Sequence, residues 1–149
     1  MKLEEEIKQK KFRNEYHKLA VNILYTHGWL LNNQTKLLKK HDVTSAQFNV
    51  LRILRGQYPN PASVNLLKER MLDKMSDASR LVERLKQKDL VDRKICPDDR
   101  RRVEVVITDK GLNLLKDIDS HDDEADQIFD KLSSEEAKTI NELLDKMRG

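Results

Sequence analysis

The stretch from residue 80 to residue 111, RLVERLKQKDLVDRKICPDDRRRVEVVITDKG, decides the fold because its apolar spacing changes halfway along. Leu81, Val82 and Leu85 repeat with helical spacing, whereas apolar and polar residues alternate over residues 91–95 and again over 103–107. The polar segment between the two alternating runs contains Pro and Asp, which favour a turn. The pattern therefore predicts a helix that leads into a β-hairpin.

Upstream, the apolar spacing predicts one long amphipathic helix over residues 9–40. A helix of about 30 residues is about 45 Å long. This is more than one small domain needs to cover its own core, so part of the apolar stripe is expected to meet a second chain. A second helix is expected to open at Thr44, which matches a capping box with Gln47, and to end before Gly56.

The segment between this helix and the hairpin predicts two further helices. The two prolines within residues 58–61 indicate a turn, because proline cannot continue a helix. Ser63 is the expected N-cap of a short helix, and Asp73 is the expected N-cap of a helix that reaches about residue 88. This order of elements is a helix-turn-helix followed by a hairpin wing.

Downstream of the hairpin, Thr108 is the expected N-cap of a long helix over residues 109–131. Ser133 and Glu136 match a second capping box, which opens a last helix. The predicted fold class is mainly α with a small β-hairpin wing. It forms one domain over residues 1–149, in which a winged helix-turn-helix at about 44–108 lies between helices at about 1–40 and 109–149.

Charge is unevenly distributed along the chain, although the net charge is only +3. Residues 1–102 carry 23 basic and 13 acidic side chains, whereas residues 103–149 carry 6 basic and 13 acidic ones. This asymmetry suggests a nucleic-acid-binding face opposite an acidic body. The alternative is a solvated surface of mixed charge, and charge alone does not decide between the two.

Several function classes lack their sequence signals. The chain has no Gly-rich phosphate loop, no nucleophile motif and no metal-ligand set, so we expect neither an enzyme nor a cofactor or metal. The N-terminus has no apolar signal region and no stretch is apolar enough to span a membrane. A single cysteine, Cys96, fits a reducing compartment, so a cytoplasmic location without a membrane partner is expected.

The polar face of residues 74–84 suits the major groove of DNA, where base edges present a distinct pattern of donors and acceptors. Small hydroxyls allow close approach, and arginines reach guanine or phosphate. Asp77 has two interpretations: it accepts from a cytosine amino group, or it favours the start of the helix. The candidate contacts on this face are Lys74, Ser76, Asp77, Ser79, Arg80 and Arg84.

The hairpin tip carries three consecutive arginines, Arg100, Arg101 and Arg102. Asp98 and Asp99 cannot pair with all three. An arginine extended from a hairpin tip fits the narrow, electronegative minor groove. The alternative interpretation is a solvated charged turn. It is less favoured because a helix-turn-helix precedes the hairpin.

Four motifs in order resemble the MarR/SlyA family of transcriptional regulators: residues 80–85, 88–93, 98–101 and 105–111. The resemblance implies a homodimer, held together by dimerisation helices at about 1–40 and 109–149. The dimer would present two winged helices to a pseudo-palindromic double-stranded operator, most often as a repressor. It also implies that Asp99 braces the wing and that Arg101 enters the minor groove. The chain departs from the family pattern at Leu72 and Asp89, where Gly is usual, and at Lys74, where a Ser or Thr cap is usual. Asp89 is therefore expected in the left-handed conformation.

Relatives of this kind often bind small aromatic or phenolic effectors beside the dimerisation region. Tyr16, His17, Tyr25 and Trp29 on the first long helix are candidates for such a pocket, although aromatic residues at helical spacing more often belong to a dimer core. Oxidant sensing by Cys96 and a metal site at residues 121–126 are also conceivable. An incidental cysteine and a solvated acidic face are favoured instead.

A non-specific architectural nucleic-acid-binding protein is the alternative function. Such a protein would bind with steep salt dependence and little sequence discrimination. Competition by unrelated DNA separates the two functions.

Overall fold

A computed structural model describes all residues from Met1 to Gly149, and the chain divides into two compact units, Met1–Ser45 and Ala46–Gly149. The first unit contains a short helix α1 (Leu3–Glu6), the long helix α2 (Glu15–Leu38) and a 3₁₀ helix at Lys39–His41.

The start of α2 corrects the predicted helix over 9–40. Asn14 is its N-cap, because the Asn14 side chain accepts the backbone N–H of His17 at 2.9 Å. An N-cap residue has non-helical backbone angles, so the helix cannot extend further back. The residues before Asn14 instead lead back to α1, and Lys18 of α2 forms an ion pair with Glu4 of α1.

The second unit is mainly α and holds a small antiparallel sheet. The sequence prediction of the fold class is therefore confirmed. The elements in chain order are α3 (Ser45–Gln57), β1 (Ala62–Ser63), α4 (Val64–Arg70), α5 (Ala78–Gln87), β2 (Val91–Ile95), β3 (Val103–Ile107), α6 (Asp109–Asp119), α7 (Asp122–Gln127) and α8 (Ser134–Arg148).

The sheet has the order β1-β3-β2, and both pairings are antiparallel. The hairpin of β2 and β3 is confirmed, with Val91 opposite Ile107 and Ile95 opposite Val103. The two-residue strand β1 was not predicted. It pairs Ala62 with Val105, and so joins the hairpin to the segment before α4.

One apolar core holds helices α3, α4, α5 and α6 to the sheet. Fully buried side chains of this size contribute about 1.5–3 kcal/mol each to folding. They come from α3, α4, α5, the strands and α6, namely Val50, Leu51, Leu54, Leu67, Val82, Leu85, Val91, Val105 and Leu115. The core therefore fixes α5 against the hairpin.

Local capping chemistry was predicted correctly at several positions. The hydroxyls of Ser63 and Thr108 cap α4 and α6, and Ser133 forms a full capping box with Glu136 at the start of α8. Asp89 has a φ of 60°, the left-handed conformation expected where Gly is usual.

The ends of α3 and α6 were also predicted wrongly. Helix α3 passes through Gly56 and ends at Gln57, because the N–H of Tyr58 still bonds to the carbonyl of Leu54 at 3.0 Å. The predicted helix over 109–131 is broken after Asp119. There the Ser120 hydroxyl donates to the Asp117 carbonyl at 2.5 Å, and the backbone tightens into a turn.

None of the helices combines the length and the apolar character that crossing a lipid bilayer requires.

Candidate nucleic-acid interface

The helix that carries the candidate base contacts, α5, begins later than predicted. Its N-cap is Asp77 rather than Asp73: the Asp77 carboxylate accepts the N–H of Arg80 at 3.1 Å. Asp73 instead organises the turn before the helix, where its carboxylate accepts the N–H of Met75 at 2.9 Å and the hydroxyl of Ser76 at 3.1 Å. Asp77 thus takes the helix-start position, which was one of its two interpretations.

Helix α5 has one buried and one exposed face. Ala78, Val82 and Leu85 are buried against the core. Ser79, Arg80 and Arg84 lie on the opposite side and are exposed. The small Ser79 next to two arginines leaves this face open to close approach by a polyanion.

Lys74 and Ser76 lie ahead of α5, in the turn, and not on the helix as predicted. The Lys74 ammonium donates to the carbonyl oxygens of Lys68 and Glu69 at the C-terminus of α4. Cations are favoured at this end of a helix. Lys74 therefore fixes the turn to α4 while keeping its positive charge beside the start of α5.

The wing tip is ordered by Asp99. Its carboxylate accepts the N–H of Arg101 at 3.0 Å, and its carbonyl accepts the N–H of Arg102 at 2.9 Å. The N–H of Cys96 closes the loop by donating to the carbonyl of Arg102 at 2.9 Å. Backbone polar groups of the loop are therefore satisfied within the loop, and the side chains of residues 97–102 are exposed to solvent.

The guanidinium groups of Arg100, Arg101 and Arg102 are exposed, and none has a carboxylate within ion-pair distance. A cluster of three cations without a partner is electrostatically costly to hold together, so an anion is favoured at this tip. The tip, the exposed face of α5 and the turn ahead of α5 together form what we call the reading surface, defined by residues 74–84 and 100–102.

An ion pair between α5 and the hairpin connects the two parts of the reading surface. The Arg93 guanidinium lies 2.6 Å from the Glu83 carboxylate. This pair was not predicted. The available signal was the alternation of β2, which puts Arg93 on the same face as the buried Val91, towards α5.

The four aromatic effector candidates lie along α2 in the first unit, where Tyr25 and His17 form side-chain hydrogen bonds. The Tyr25 hydroxyl donates to the Glu6 carboxylate at 2.9 Å, and this hydrogen bond raises the pKa of Tyr25. The His17 imidazole accepts the N–H of Arg13 at 3.0 Å. Tyr16 and Trp29 are exposed, but they lie about 20 Å apart along the helix axis, so one small molecule does not reach both on a single chain.

The other two minor candidates have ordinary surroundings. Cys96 is a free, half-buried thiol at the base of the wing loop. In the acidic segment 121–126, the His121 ring contacts the Glu124 carboxylate at 3.1 Å. No cluster of three or more His, Cys, Asp or Glu side chains has an arrangement that would hold a metal ion.

Comparison with known proteins gives concordant results. The profile of the MarR family matches residues 41–102. The HTH-type transcriptional regulator MhqR of Bacillus subtilis is 30% identical over 131 residues, which cover 87% of this chain and 89% of that protein.

Two solved structures share the fold at 25% identity. One concerns BpsR of Bordetella bronchiseptica and the regulation of its DNA binding by 6-hydroxynicotinic acid; its TM-score is 0.77, over 89% of this chain and 99% of that one. The other is a cysteine-to-serine mutant of MarR from E. coli in complex with operator DNA; its TM-score is 0.79, over 93% of this chain and 99% of that one.

The relatives are named as transcriptional regulators, and their similarity extends over most of both chains. The matched profile spans α3, α4, α5 and the hairpin down to the arginine tip, which are the elements that build the reading surface. From this agreement of sequence, fold and surface it follows that the chain belongs to the MarR family of winged helix-turn-helix, DNA-binding transcriptional regulators.

Proposed function

We propose that the chain acts as a homodimer that binds a pseudo-palindromic operator with sequence specificity, and that it is a repressor released by a small aromatic or phenolic effector. The observation that carries this proposal is the reading surface. It combines an exposed helix face with an arginine tip, and the Glu83–Arg93 ion pair links α5 to strand β2 of the hairpin that carries the tip.

Each part of the reading surface has a place on the duplex. The N-terminal half of α5 enters the major groove, where Ser79 and Arg80 reach base edges and Arg84 reaches a base or phosphate. Lys74 and Ser76 in the preceding turn contact the phosphate backbone. Arg101 enters the adjacent minor groove, with Arg100 and Arg102 on the flanking phosphates.

Exposed apolar side chains support the homodimer. Helix α8 has no buried residue, although Ile140, Leu143, Leu144 and Met147 form an apolar stripe along it. Leu143 is 59% exposed and Met147 51% exposed. In the first unit, α2 likewise leaves Leu24 71% exposed. A stripe of this kind is stable when a second apolar surface covers it, and a second copy supplies one.

These surfaces support a division of roles between the parts of the chain. Helices at about 1–40 and 109–149 serve dimerisation, and residues 44–108 serve DNA binding. Two copies of the winged unit then meet half-sites about one helical turn apart. Because the ligand is DNA, the proposed place of action is the cytoplasm.

The effector part of the proposal is supported by BpsR, whose DNA binding is regulated by 6-hydroxynicotinic acid. An effector that changes the separation of the two winged units weakens binding, because both must engage the operator together. Tyr16, His17, Tyr25 and Trp29 remain the proposed contacts, with residues from both copies lining the site.

Selection from a randomised duplex library, followed by competition with unrelated DNA, tests the proposal. We expect a palindromic consensus and a selected duplex that unrelated DNA does not displace at equal concentration. Enrichment of no consensus, with binding that falls steeply with salt for every duplex, would instead support the architectural alternative and reject sequence-specific regulation.

A further inference from the structure

Two large apolar side chains stand in solvent at the entrance to the reading surface. Leu72 is 88% exposed and Met75 is 92% exposed, and both lie in the turn between α4 and α5. A single exposed apolar residue is ordinary. Here two such residues lie within four positions of each other, beside Lys74 and Ser76. They directly precede the helix proposed to read DNA, which indicates a role for the pair in binding.

The turn is built so that this pair cannot fold inwards. The N–H of Leu72 donates to the Asn49 side chain at 2.9 Å, and the N–H of Met75 donates to Asp73 at 2.9 Å. Met71 on one side and Ala78 on the other are buried in the core. The backbone is thus anchored at both ends and at both apolar residues, and the two side chains are held outward.

The residues around Leu72 and Met75 indicate which kind of partner covers these two side chains. Asp73 and Lys74 lie between the two residues, and Asp77 and Arg80 lie just beyond them at the start of α5. The two carboxylates accept the backbone N–H groups of Met75 and Arg80, which offsets part of their charge. The charged side chains of Lys74 and Arg80 fit a polyanion better than the apolar surface of another protein. The major groove offers one apolar group to such a pair, the 5-methyl group of thymine.

We propose that Leu72 and Met75 contact thymine 5-methyl groups in the major groove and thereby read thymine at fixed positions of each half-site. This inference rests on the proposed function, since it requires α5 to enter the groove. It adds apolar specificity-determining residues to a surface whose other contacts are charged or hydroxylic. Residues at the N-terminal end of a recognition helix face base edges, which is where this turn leads.

Replacement of thymine by deoxyuridine, which lacks only the methyl group, tests the inference. The duplex is the one selected from the randomised library, and affinity is measured by fluorescence anisotropy. Burial of one methyl group corresponds to about a fourfold change in affinity. We expect about this loss for each half-site when the contacted thymine is replaced, and none when a thymine outside the half-sites is replaced.

The variants Leu72→Asn and Met75→Gln complete the test. Both positions are exposed, so the variants should unfold at the wild-type temperature. They should bind the thymine duplex less tightly, by a similar factor, and should no longer distinguish it from the deoxyuridine duplex. The matched controls Leu72→Met and Met75→Leu keep an apolar side chain and should keep the discrimination.

The possible outcomes distinguish a failure of the proposed function from a failure of the thymine contact alone. If wild-type protein selects no consensus, the proposed function fails. If it selects one but binds the deoxyuridine duplex equally well, or if the polar variants keep the discrimination, only the thymine contact is rejected. Polar variants that change the sedimentation of the protein but not its response to deoxyuridine would assign the pair to a protein contact instead and would also overturn the inference.

Discussion

Replacing Gly111 by alanine is expected to destabilise the winged unit, because the added methyl group has no room. A Cβ atom at this position would lie 2.4 Å from the Leu90 carbonyl oxygen and 2.6 Å from Cγ1 of Ile107. The Ile107 side chain can rotate away. The Leu90 carbonyl cannot move freely, because it is backbone and accepts the N–H of Thr108 at 3.1 Å.

The magnitude follows from three opposing contributions. Overpacking of this kind typically costs about 1–3 kcal/mol, and a weakened backbone hydrogen bond adds about 1 kcal/mol. Alanine is better than glycine inside a helix by up to about 1 kcal/mol, which offsets part of the cost. We therefore expect a loss of about 1–3 kcal/mol, or about 2–4 °C in Tm for each kcal/mol in a chain of this size.

Thermal unfolding followed by circular dichroism measures the effect, at one protein concentration because association shifts Tm. Gly56→Ala is the matched control: Gly56 lies in α3 and has no atom within 4 Å of an added Cβ. That variant should be more stable than wild type by up to about 1 kcal/mol. A Gly111→Ala protein as stable as wild type would refute the close approach of α6 to the hairpin.

Three further predictions concern the reading surface and the assembly. Arg101→Ala should weaken binding of the selected duplex by about tenfold or more without changing sedimentation, and full-strength binding in a gel-shift titration would contradict the minor-groove role. Asp77→Ala should lower the free energy of unfolding by about 1 kcal/mol, because the helix cap is lost. Asp77→Asn should keep the wild-type stability and bind DNA more tightly, since it removes a negative charge. Weaker DNA binding by the Asn variant would instead favour the cytosine contact. Leu143→Asp should shift the protein to monomers in sedimentation. Asn141→Asp adds the same charge to the same helix and should keep the dimer intact. Equal behaviour of the two variants would exclude the α8 stripe from the interface.

Features with a local cause were predictable from the sequence. A hydroxyl that accepts a hydrogen bond from a backbone N–H three residues later caps a helix, as at Ser63, Thr108 and Ser133. The left-handed Asp89 and the hairpin around the arginine tip also depend on nearby residues.

Features decided at a distance were missed or misplaced. Asp73 and Asp77 are both suitable N-caps four positions apart, and local chemistry does not choose between them. The burial of Met71 and Ala78 and the anchoring of Lys74 on α4 make that choice, and they depend on the folded core. The same holds for β1, because two residues become a strand only when a distant hairpin pairs with them.

Ser63 has a consequence for how the winged unit moves, since it belongs to two elements at once. It pairs with Glu104 in the sheet, and its hydroxyl caps α4. A torque on α4 is therefore transmitted to β3 close to the point where the loop at residues 96–102 begins. Helix α4 and the hairpin strands are thus coupled as one block, from which the arginine loop extends. In the proposed complex with DNA, this block would set the distance along the duplex between the contacts of α5 and those of the arginine tip.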